Sequence, residues 1–146
     1  MSNGDQFELF VRLVVALVLG GIVGAEREFR GHEAGIRTSA LVCLGAAAFG
    51  EIATILGSDR VAAGVVQGIG FIGAGLIFQR GSSVQGVTTA ATIWVLAGLG
   101  LLVSNELWLT AVLLTALLVV LLELSPVSDW VYHHGRAQAE DDREAG

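Results

Sequence analysis

Apolar residues in this chain do not alternate with polar ones; they gather into five blocks separated by short polar breaks. The blocks cover residues 7–25, 38–56, 61–78, 87–103 and 107–124. Each has about 17 to 19 residues, or about 26 to 29 Å as α-helix, close to a hydrocarbon core of about 30 Å. The pattern predicts an all-α integral membrane protein with five transmembrane helices. The last block, LWLTAVLLTALLVVLLEL, has only Thr110 and Thr115 as polar positions before Glu123, so it offers no face to water. The first block is expected to stay in the protein, because the acidic MSNGDQFE lacks the basic start of a signal peptide and the block ends in EREFR.

The polar segments set the boundaries. Ser125 and Pro126 mark the end of the fifth helix, so residues 1–125 are read as one transmembrane domain and 126–146 as a polar, disordered cytoplasmic tail. Trp130 and Tyr132 suit a membrane interface, and the adjacent His133 and His134 read as surface residues, not as metal ligands. Across 146 residues the net charge is −6, and the tail holds five acids against two arginines. That balance argues against a nucleic-acid partner, and the membrane-length apolar blocks make the lipid bilayer the main surroundings. Cys43, the single cysteine, lies inside the second helix and reads as a small packing residue.

The chain has no lysine, so arginine alone carries the orientation signal. Arg27, Arg30, Arg37, Arg80, Arg136 and Arg143 fall on one side of the predicted membrane, against Arg12 and Arg60 on the other. The N-terminus is therefore expected outside and the C-terminus in the cytoplasm.

Residues 68–75, GIGFIGAG, spell the GxGxxG of a dinucleotide-binding loop. That motif needs a preceding strand, a helix starting at the loop and a later acidic residue. Here the flanks continue one membrane-length block, and no Asp or Glu occurs between Asp59 and Glu106. At about 100° per residue, Gly64, Gly68 and Gly75 share one face, and Gly70 and Gly73 share a second with Ala62, Ala63 and Ala74. The third helix is therefore expected at the centre of the bundle with neighbours on two sides, so that Gly68→Leu or Gly73→Leu prevents accumulation. Gly20 and Gly24, four residues apart in the first helix, are also read as helix-packing positions.

Segments 21–40 and 70–91 align with two one-residue gaps, sharing G-x-x-G-A, an Arg-Gly pair and a late glycine. A repeat of this kind makes helices 1–2 and 3–4 parallel units whose connecting loops meet at the cytoplasmic face; chance similarity in Gly/Ala-rich sequence is the competing explanation. That face concentrates Glu26, Arg27, Glu28, Arg37 and Thr38 with Arg80, Thr88, Thr89 and Thr92. Thr88 and Thr92 share a helix face and could line a polar pocket or bond a neighbouring helix, although charges at membrane ends are commonly anchors or mutual ion pairs. Glu51, near the other end of helix 2, is expected to be interfacial or paired with Arg60.

Four blocks, GGIVGAERE, AGIRTSALVCLGAAAF, DRVAAGVVQGIGFIGAGLIF and GVTTAATIW, closely resemble the MgtC/SapB family of bacterial and archaeal membrane proteins, in order and spacing from about residue 13 to 103. The resemblance implies a five-helix protein of the cytoplasmic membrane, linked to growth under magnesium limitation, to survival of virulence-associated members inside host cells, and to restraint of the F-type ATP synthase. It does not imply magnesium transport, despite the magnesium-transporter-C-like label. Glu26, Arg27, Glu28, Gly35, Arg37 and Thr38 match the first signature. Arg60, Gly68, Gly70, Phe71, Gly73, Ala74 and Gly75 match the second, and Gly86, Thr89, Ala90, Ala91, Thr92 and Trp94 the third. Virulence-type members resemble this chain with Asn where Thr88 stands and Cys where Val95 stands, and many carry a C-terminal cytoplasmic domain. The short chain resembles the SapB-like branch, which lacks that domain.

Two readings of function follow. One is a regulator of magnesium or ion homeostasis and membrane energetics, acting on the F-type ATP synthase or another membrane complex, or as a homo-oligomer. The alternative is a transporter or channel for magnesium or another ion, which the carboxylate-free midsections disfavour. No cofactor and no metal site are expected, and no nucleophile, base and orienting group can be assembled for an enzyme.

Overall fold

The computed structural model describes residues 2–80 and 83–124, the side chains of Arg80 and Ser83 excepted. Its helices are α1 (Asn3–Phe29), α2 (Ile36–Leu56), α3 (Asp59–Leu76), α4 (Val87–Ser104) and α5 (Trp108–Glu123), with short strands β1 (Phe78–Arg80) and β2 (Ser83–Gln85) between α3 and α4. The expected tail, with Trp130, Tyr132, His133 and His134, lies outside the described residues.

Local chemistry explains the helix limits. Ser2 and Asp5 form a reciprocal capping box at the start of α1, the Asp5 amide donating to Ser2 Oγ at 3.2 Å and the Ser2 amide to Asp5 Oδ2 at 2.7 Å. Gly57 ends α2 in the left-handed conformation, φ 58°. Helix α3 stops at Leu76, two residues short of the expected end, because the chain turns into an antiparallel hairpin that pairs Phe78 with Gln85 and Gln79 with Val84. Gly86 (φ 84°) then starts α4, and a Cβ there would collide with the Leu76 carbonyl, so both conformation and space require glycine.

Helices α1, α2 and α4 are each long and apolar enough to cross a membrane, and α5 is a 16-residue apolar helix. The core joins Ala16, Leu19 and Val23 of α1, Cys43 and Ala47 of α2, Leu96, Leu99 and Val103 of α4, and Ala111, Leu118 and Leu122 of α5. These are the marks of an all-α membrane protein.

The central helix is α4, and this corrects the expectation for α3. Ten of the eighteen residues of α4 are buried, whereas Gly73 alone is buried in α3. Close backbone approach occurs elsewhere. A Cβ added at Gly20 would lie 2.6 Å from Cys43 Cβ, and one at Gly24 would lie 2.6 Å from Ile36 Cα, so these two glycines set the α1–α2 distance. Gly100, which the sequence reading passed over, does the same between α4 and α2, where an added Cβ would lie 2.8 Å from both Ala46 Cβ and the Ala47 amide nitrogen. A Cβ added at Gly73 would make only an ordinary 3.6 Å contact with Ala90 of α4, and one at Gly64, Gly68, Gly70 or Gly75 would meet nothing within 4 Å. Glycine spacing alone marks smooth faces; it does not say which of them is occupied.

Candidate functional site

The chain crosses back and forth, so its ionisable residues collect at two ends. At one end Arg12 of α1 is the hub. Its Nη1 donates to both carboxylate oxygens of Glu51 on α2 at 3.2 Å, and its Nη2 lies 2.5 Å from Glu106 Oε1 in the α4–α5 turn and 3.9 Å from Glu8 Oε2. Glu51 is 4% exposed. The expected pairing of Glu51 with Arg60 is corrected: Arg60 is near in sequence but exposed at the start of α3, whereas Arg12 faces Glu51 across two packed antiparallel helices.

The other end carries the cluster expected from the sequence, and the structure assembles only part of it. Arg27, in the last turn of α1, is 3% exposed. Its Nη2 donates to Thr89 Oγ1 of α4 at 2.7 Å and, weakly, to the Glu33 carbonyl at 3.5 Å, while its Nε has no partner. Glu26, its sequence neighbour, turns instead to Arg30, Oε1 to Nε at 2.9 Å, and leaves Oε2 buried without a partner. Arg30 also reaches Glu123 at the end of α5. Glu28 accepts from the Ile36 amide at 2.9 Å and so secures the start of α2.

The remaining cluster residues are spread out. Arg37 and Thr38 are exposed in the first turn of α2, outside these contacts. Thr92 is buried, but its hydroxyl donates to the Thr88 carbonyl at 2.8 Å, so it serves its own helix and not a neighbour. Thr88 is exposed at the rim. Arg80 belongs to β1, and its side chain lies outside the described residues.

Between α1, α4, α5 and the hairpin opens a cavity of about 660 Å³, into which Arg27, Thr88, Thr89 and Thr92 bring polar groups while Val84, Leu118 and Leu121 form apolar walls. The first turn of α4 borders it, and Gly86 supplies no side-chain cap, so the amides of that turn have no intrahelical acceptor. A second groove of about 580 Å³, between α2 and α3, is wholly apolar and includes Gly64, Gly68 and Phe49 in its lining. Among the described residues no group of three or more His, Cys, Asp and Glu has an arrangement suited to a metal ion.

Two details were missed at the sequence level. The Arg12–Glu51 pair could have been found by asking which charges fall inside the apolar blocks on the same side of the membrane. The role of Glu123, at the far end of an almost uniform apolar block, had no comparable signal.

Helices packed through glycine, ionisable groups confined to two ends, and apolar lengths sufficient to span a bilayer define a multi-pass, all-α membrane protein. Within that class the chain belongs to the MgtC family, whose family model matches residues 13–129. It is 49% identical over 94 residues to Protein MgtC of Brucella abortus strain 2308, a match covering 62% of this chain and 40% of the relative. To Protein MgtC of Salmonella typhimurium strain LT2 it is 46% identical over 100 residues, covering 66% of this chain and 43% of the relative. The matched segment spans about two fifths of the length of these relatives. No solved structure matches the chain.

Proposed function

We propose that this chain is a regulator in the cytoplasmic membrane, acting on magnesium or ion homeostasis and membrane energetics through helix contacts with a larger membrane complex. Catalysis has no part in this role. The orientation proposed has the Arg27 end in the cytoplasm, following the arginine bias, and the F-type ATP synthase is the complex that the family resemblance suggests. The supporting observation is the open glycine face of α3. A Cβ added at Gly64, Gly68 or Gly75 would meet nothing within 4 Å, and Gly64 and Gly68 border the apolar groove beside α2, so this face has room for another membrane helix at close range.

The test combines flux with cell energetics. Purified protein in liposomes should pass no more magnesium than empty liposomes. Cells lacking the gene should show raised ATP or an altered membrane potential in low magnesium. Gly68→Leu, at a position where an added Cβ would meet nothing within 4 Å, should accumulate normally, contrary to the expectation from glycine spacing, yet fail to restore the wild-type state. Magnesium flux that disappears with Glu26→Gln or Arg37→Ala would establish the transporter alternative instead.

A further inference from the structure

Arg27 presents an electrostatic problem that the described residues do not solve. A guanidinium stays protonated in proteins, so it cannot shed its charge on burial as a lysine or histidine can. An uncompensated buried charge is strongly unfavourable. Among the described residues no carboxylate lies within ion-pair distance of Arg27. The acids whose field reaches it are Glu26 and Glu33; the former is bound to Arg30, and the latter has its side chain in solvent and offers Arg27 only a backbone carbonyl. Its other neutral partner is the Thr89 hydroxyl.

The surroundings are arranged for an anion. The cavity beside Arg27 is bordered by the N-terminal turn of the eighteen-residue α4, where free amides and the helix dipole favour negative charge. Thr88 places a hydroxyl at the same rim. Two independent features thus meet at one cavity: Arg27, a buried guanidinium that lines it and keeps one nitrogen without a partner, and the uncapped start of α4.

We propose that this cavity binds a phosphate group, with Arg27 as its charge partner and the first turn of α4 and Thr88 as further donors. A tetrahedral, multiply charged oxyanion matches a fork of N–H donors beside a helix start better than a halide does. The apolar wall from α5 could hold the acyl part of a phospholipid, and the same donors would accept free phosphate.

Full-length protein in a phosphate-free nonionic detergent would be titrated with inorganic phosphate and, separately, with phosphatidylglycerol, reading phosphorus-31 line broadening and the shift in thermal unfolding. Saturable binding of either probe to wild type, weakened tenfold or more in Arg27→Gln and a few-fold in Thr88→Val, is expected. Arg12→Lys, at the opposite end, should leave binding unchanged. Binding of the lipid alone identifies a headgroup site, and binding of both or of phosphate alone a site open to free phosphate. Because Arg27→Gln could disturb the Thr89 contact, Thr88→Val provides the readout in which no buried bond is lost. The proposal is overturned if wild type binds neither probe, if Arg27→Gln binds like wild type, or if chloride displaces the probe at equal concentration.

Discussion

Arg12 and Arg27 lie about four turns apart on one helix, both largely withdrawn from water, and their surroundings are opposite. Arg12 has three carboxylates within 4 Å, one of them buried, and ties α1 to α2 and to the α4–α5 turn. Arg27 has a hydroxyl and a distant carbonyl. The first arrangement is closed, with the charge compensated inside the chain and little left for a ligand to gain. The second is open, because the compensation is incomplete and a cavity adjoins it. A membrane protein can use the same residue type as a clamp or as a receptor, and whether a buried carboxylate faces it separates the two.

The contrast breaks most sharply at Arg12. Replacing it with Ala leaves Glu51 buried without its partner, and removing one member of a buried ion pair costs about 3–5 kcal/mol. Arg12→Ala should therefore unfold at much lower denaturant in detergent, followed by tryptophan fluorescence, and Arg12→Ala combined with Glu51→Gln should recover part of the loss. A double variant no more stable than the single one would show that Glu51 does not depend on Arg12.

Arg27→Gln should cost less, at most about 1–2 kcal/mol in phosphate-free detergent. The charged hydrogen bond to Thr89 is worth about 1.5–3 kcal/mol, but its loss is offset by removal of an uncompensated buried charge. The same unfolding measurement decides the matter. Equal destabilisation by Arg27→Gln and Arg12→Ala would make the two ends energetically alike and erase the distinction.

Much of this was legible in the sequence, for reasons that also mark where legibility stopped. The helices follow from block length alone, and Gly20 and Gly24 fall where α1 meets α2 because a hairpin between consecutive helices leaves few alternatives. Arg27 and Thr89 were both in the expected cluster, but their bond joins residues 62 apart, and a single sequence does not say which of the arginines turns inward. The place of α3 was misread because a glycine face has the same spelling whether it is filled or vacant. What decides is competition for the core, and α4, with ten buried residues and Gly100 at its closest approach to α2, takes the centre. The hairpin at 78–85 was missed because Ile77 and Phe78 continue the apolar block, hiding the end of α3 at Leu76.

The smallest effect tests whether burial, and not the number of ion pairs, makes the two ends differ. Glu106 belongs to the Arg12 end and Glu123 to the Arg27 end, with side chains 61% and 55% exposed, and each binds an arginine of α1 from a different part of the chain. Exposed pairs contribute about 0–1 kcal/mol and are weakened by salt. Glu106→Gln and Glu123→Gln should therefore each cost under about 1 kcal/mol, and raising the salt concentration should shrink both losses alike. If Glu106→Gln instead approached the cost of Arg12→Ala, the stability of that end would reside in its exposed bridge, and the buried Glu51 pair would not be what closes it.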